Sequence, residues 1–158
     1  MALDGCGDDV VLVGHSLGGH TLPLVTACRP ERHVVYVCAH IPDIGRSLAD
    51  ELRDAPDMLN RDCYAGLSEP DAQRRTTRVD HKLARLLLYA DCDEPTVKAA
   101  INRLRPQASY PHAVPCSLAE FPSVRSTSVV CREDRMLGFE WRSELLTTGW
   151  APRSPSFA

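Results

Sequence analysis

Three kinds of side chain in this 158-residue chain could take part in nucleophilic chemistry. The first is Ser16, set among glycines in Gly14-His15-Ser16-Leu17-Gly18-Gly19. The second is the acidic pair Glu133-Asp134, inside Cys131-Arg132-Glu133-Asp134-Arg135. The third is a set of six histidines: His15, His20, His33, His40, His81 and His112. A serine hydroxyl is a weak nucleophile at neutral pH. It needs a base within hydrogen-bond reach, and the base needs an acid to hold its tautomer.

The surrounding elements decide whether such groups can meet. Val10-Val11-Leu12-Val13 is a short apolar run of the kind a buried parallel strand needs. A helix is predicted from about Leu17 to Ala27, ending before Arg29-Pro30, with a bend at Pro23, where one backbone donor is missing. Gly-x-Ser-x-Gly between a strand and a helix is a nucleophile elbow, a strained turn that lifts the serine Oγ clear of the sheet. Side chains at Gly14 and Gly18 would be expected to collide with the neighbouring strand or helix. The positive end of the helix would favour negative charge developing at Ser16.

Farther along, Arg32–Ala39 is a second buried strand, and the two strands with their helix make a βαβ unit. Residues 40–122 carry no comparable strand. Ser47-Leu48-Ala49-Asp50 opens a helix with a capping box. Residues 55–78 are polar and loop-like. Val79, Leu83, Leu86 and Leu87 then recur at helical spacing and predict one apolar face. Asp93 caps the next helix, with Pro95 in its first turn and Val97, Ala100, Ile101 and Leu104 as its stripe. Four prolines between Pro106 and Pro122 mark an extended return path. Arg125–Cys131 is a third strand, Gly138–Leu146 a short helix with Trp141, and Thr147–Ala158 a tail with little regular structure.

Composition narrows the classes. The net charge of −3 offers no attraction for nucleic acid or an anionic membrane. A hydrophobic fraction of 44% is that of a globular domain, and no apolar run reaches spanning length. The acidic start, MALDGCGDD, is unlike a signal peptide, so a cytoplasmic location is expected. The seven cysteines include no C-x-x-C pair, so neither a disulfide framework nor a metal site follows, and no cofactor is expected. Cys28, Cys38 and Cys131 sit in apolar contexts and are expected to be buried.

The chain resembles the α/β-hydrolase family, and within it small bacterial esterases related to plant salicylate and methyl-ester esterases. The resemblance runs through GHSLGG, HVVYVCAHIPDIGRSL, LLLYADCDEPTVKAAINRLRPQ, VVCREDR and EWR. It implies an α/β fold with a parallel sheet core (1–42 and 123–158) and an inserted helical cap over about 43–122, together a single partial domain. It implies a small ester or amide substrate, Ser16 as nucleophile, the Leu17 amide as one oxyanion donor, and Asp134 as the acid with Glu133 in reserve. His15, the elbow's variable residue, and His40, just past the second strand, are candidates for the pocket wall.

The family pattern fails at both ends. The base should follow the acid in a Gly-His-Ser-Pro-like segment, yet no histidine follows His112, and the tail offers Arg153-Ser154-Pro155. Arginine stays protonated and cannot take the serine proton. The second oxyanion donor belongs to a His-Gly-type loop that would precede residue 1. The strand Val10–Val13 is therefore expected to have one unpaired edge. Two functions follow: an esterase-like serine hydrolase, or a catalytically inactive, truncated or degenerate fragment of one.

Overall fold

The computed structural model describes residues 5–138. The helix at Gly138–Leu146 and the tail Thr147–Ala158 therefore lie outside the described residues, apart from Gly138. Three parallel strands form the main sheet: β1 (Val11–His15), β2 (His33–Val37) and β5 (Ser126–Val129), in the order β1-β2-β5. Val11 pairs with His33 and His15 with Val37; on the other side Val34 pairs with Ser126 and Val37 with Val129. The architecture is α/β, an open parallel sheet with helices.

β2 lies between the other two strands, and every second residue faces the core. Val34 is fully buried and Tyr36 nearly so. They pack with Leu22 and Ala39, and Leu12, Ile41 and Val124 close around them. β1 is not the fully buried strand its composition predicts. It stands at one edge of the described sheet, and alternation leaves Val11 and Val13 exposed, Val13 by 64%. The helical run after it is two pieces: a 3₁₀ segment at Ser16–His20 and α1 (Thr21–Thr26). Pro23 falls in the first turn of α1, where its missing N–H costs little.

Between β2 and β5 the chain forms α2 (Leu48–Asp54), α3 (His81–Leu88) and α4 (Glu94–Ile101). Each starts on a side-chain cap. Ser47 and Asp50 form the reciprocal capping box, Asp80 Oδ1 accepts from Leu83 N at 2.9 Å, and Asp93 Oδ1 accepts from Thr96 N at 2.9 Å. The α3 face keeps Leu87 and, half-buried, Leu83 from the predicted stripe and adds Ala84. Ala84 and Leu87 are buried, whereas Val79 precedes the helix and Leu86 is 53% exposed. The polar stretch 55–78 is more ordered than its composition suggests, because Met58 and Cys63 are anchored inside. A short antiparallel ribbon joins β3 (Arg75–Thr76) to β4 (Gln107–Ala108). Two residues per strand are too few for alternation to show in sequence.

Cysteine burial also differs from expectation. Cys38, Cys63 and Cys116 are buried, but Cys28 and Cys131 are exposed. Among the described residues no helix is long and apolar enough to cross a membrane.

Candidate active site

Ser16 is the first residue after β1 and has φ +53°, the left-handed region that a side chain adopts only at a cost of roughly 1–3 kcal/mol. It is exposed. Close packing beneath the turn holds it there. A Cβ on Gly14 would meet Leu22 Cδ1 at 2.6 Å. A Cβ on Gly19 would be driven into the carbonyl of His40, backbone against backbone. Gly18, expected to need its small size, faces open space instead. The tight glycine is Gly19, because the end of β2 passes directly behind the 3₁₀ turn. There the His40 N–H donates to the Ser16 carbonyl at 3.2 Å, tying the turn to the second strand.

A cavity of about 560 Å³ opens beside the serine, with His15, Ser16, Leu17 and His40 in its wall. The opposite wall comes from the intervening region, with Leu48, Leu52, Met58 and Leu67 among its apolar members. His112, Arg78 and Arg105 also line it; sequence reasoning passed them over as cavity residues. His112 arrives through a 3₁₀ turn, Tyr110–Ala113, that follows the β3–β4 ribbon, and nothing in its local sequence signals that placement. Burial lowers its pKa.

His40 is 3% exposed and sits in a buried chain of polar groups. Its Nε2–H donates to Glu51 Oε2 at 2.8 Å, since a carboxylate can only accept. Its Nδ1 then accepts from His20 Nε2–H, and the two rings stack with centroids 4.6 Å apart. Glu51 Oε1 accepts from the Asp43 amide at 3.1 Å. Burial pushes the Glu51 carboxyl up, but the hydrogen bond and charge of His40 and the Asp43 amide outweigh it and hold it below its ordinary value. His20 is lowered to about 4, by burial first and then by His40. At neutral pH His20 is therefore an uncharged imidazole and Glu51 a carboxylate. With both ring nitrogens engaged, His40 is not poised to take a proton from Ser16. His20 does not cap α1, and His33 bonds Thr127 Oγ1 at 2.8 Å.

Asp134 follows β5 on the same end of the sheet. Its Oδ1 accepts from the backbone N–H groups of Met136, at 2.7 Å, and Leu137, at 3.1 Å. Those two amides orient the carboxylate from behind, and Met136 and Leu137 themselves reach the cavity wall. Glu133 is exposed. Among the described residues Ser16 Oγ makes no hydrogen bond.

A strand–serine turn–helix unit with an acidic loop after a later parallel strand is the skeleton of one large enzyme family, and the model of the alpha/beta hydrolase family matches residues 2–155. The chain belongs to the α/β-hydrolase family. No curated protein sequence matches it. Solved hydrolase-fold structures do. Polyneuridine aldehyde esterase aligns with a TM-score of 0.70 at 20% identity, covering 93% of this chain and 62% of that one. The pyrethroid hydrolase PytH aligns with a TM-score of 0.72 at 15% identity, over 95% and 61%. A methylesterase from Arabidopsis aligns with a TM-score of 0.58 at 15% identity, over 96% and 61%. The chain thus spans about three fifths of the length of these α/β-hydrolases.

Proposed function

We propose that this α/β-hydrolase chain carries the nucleophile and acid of an esterase-like serine hydrolase acting on a small ester or amide. Ser16 attacks the carbonyl carbon, the Leu17 amide supports the oxyanion, and Asp134 is the acid that would orient a base. The left-handed φ of Ser16 beside a cavity carries the reading. Such strain persists only where surrounding packing over-determines it, and it clusters at working sites. The neighbouring esterase structures agree with it. In this reading residues 1–42 and 123–158 form the core, and about 43–122 form a cap that closes the cavity.

The second reading, an inactive fragment, is favoured by one observation: among the described residues no histidine bonds Ser16 Oγ. Loss of the base in a well-studied triad costs roughly a millionfold in kcat. The 158-residue chain is therefore expected to hydrolyse 4-nitrophenyl acetate at close to the uncatalysed rate. It should still react slowly with a fluorophosphonate at Ser16, as mapped by peptide mass spectrometry, and Ser16→Ala should carry no adduct. An adduct elsewhere, or none, would overturn the nucleophile assignment. Rapid Ser16-dependent turnover would show that a base is present and remove the second reading.

A further inference from the structure

The fully charged side chains that line the cavity among the described residues are of one sign. No aspartate or glutamate is among the described residues that line it, and the fully charged side chains there are Arg78 and Arg105. Elsewhere in the same region arginines find carboxylates: Arg53 with Asp50, Arg61 with Asp57, Arg75 with Asp71, and Arg85 with Glu94.

Arg78 is held differently. Its guanidinium donates to the carbonyls of Cys63, at 2.6 Å, and Ala65, at 3.2 Å. Two neutral acceptors orient the fork without cancelling its charge, and they leave three of its five N–H donors. The residue is half-buried, against Cys63 and beside the apolar wall. Arg105 is exposed and makes neither a hydrogen bond nor an ion pair among the described residues. A cleft with low-dielectric walls and one sign of charge focuses its field on whatever enters, and salt screens it only beyond about 8 Å at physiological strength.

We propose that this cavity takes esters or amides that also carry a carboxylate, with Arg78 and Arg105 binding that carboxylate while the apolar wall takes the carbon chain. A guanidinium fork matches a carboxylate in geometry as well as charge. The proposal deepens the hydrolase reading and rests on it only in calling the ligand a substrate.

The test separates the two. Ser16→Ala protein, which cannot be acylated at that position, is titrated with monomethyl adipate and with dimethyl adipate at pH 7.5 in low salt. The two probes share a carbon chain and one methyl ester and differ in one carboxylate. The monoester should bind at least tenfold tighter, and the preference should shrink in 0.5 M sodium chloride. In the same background Arg78→Met should remove most of the preference, and Arg105→Met should reduce it. Equal binding of the two probes, no binding of either, or a preference that survives Arg78→Met would overturn the proposal. Should Arg78→Met fail to fold, because it also holds the 63–65 turn, Arg105→Met decides alone, and an unchanged preference overturns it. Ser16 labelling can fail while this preference stands, and the preference can fail while labelling stands.

Discussion

Around Ser16 backbone is packed directly against backbone, whereas in residues 43–122 side-chain caps on the helices supplement a two-residue ribbon and isolated backbone bridges. On the sheet side Gly19 lies against the His40 carbonyl, the His40 amide bonds the Ser16 carbonyl, and Val34 and Tyr36 fill the space beneath. On the other side three short helices each begin on one polar cap, and exposed ion pairs dress the surface. Backbone contacts tolerate almost no change in shape. Caps and exposed pairs are worth little singly and can be lost one at a time. The wall that carries Ser16 is therefore the more rigid one, and the wall from residues 43–122 the more adjustable.

The sharpest way to break this contrast is a pair of glycine substitutions one residue apart. Gly19→Ala forces a carbon into a carbonyl and should cost about 3 kcal/mol or more in urea unfolding. Gly18→Ala points into open space and should be neutral, or stabilising by roughly 0.5 kcal/mol. Equal effects would show that the turn is not pinned against β2. Next in size is Val34→Ala, a cavity at a fully buried position, expected at about 2 kcal/mol in the same assay.

Acid should loosen the seam between the two walls. His20 stays neutral in the fold down to about pH 4, while the unfolded chain takes up its proton from about 6.5. The unfolded state then binds more protons across that window, so stability falls as pH drops from 6.5 to 4. Glu51 acts in the same direction, because the fold favours its ionised form, and that advantage is lost as the carboxylate is protonated. Thermal melts should show a falling Tm over this range, and His20→Leu should flatten the profile. Smaller still, Asp80→Ala removes the α3 cap and should cost about 1 kcal/mol. The exposed pair Arg61–Asp57 should be removable with no measurable change in Tm.

Signals confined to neighbouring residues were legible in the sequence. The apolar run before Gly14-His15-Ser16 marks β1, and Ser47 and Asp93 mark helix starts, because a cap needs only the next turn. The family and fold followed from such stretches. What was hidden depends on distant chain segments meeting. Gly19 rather than Gly18 is tight because β2 happens to pass behind it. The His20–His40–Glu51 chain joins a turn, a strand end and a helix, and none of these residues is unusual in its own context. Val79 and Leu86 match the same helical stripe on spacing as Leu87, which is buried, but Val79 precedes the helix, Leu86 is exposed, and Ala84 turns inward. Arg78 and Arg105 look like any surface arginine until the wall that lacks carboxylates is assembled.

The sheet also has an arrow of time in it. β1 meets β2 across residues 16–32, but β5 joins β2 only after residues 38–125 have been gathered in. Loop closure grows slowly with length, about 0.6 kcal/mol for each doubling, so the late strand is affordable at equilibrium. Its cost is in rate, since distant pairings form after local ones. Pulse-labelled hydrogen exchange should find the amides of Val34 and Tyr36 that face β5 protected later than those of Val35 and Val37 that face β1. In that order the Ser16 turn is in place before the Asp134 loop that follows β5, and refolding has an early species with the strained turn formed and that loop still unformed.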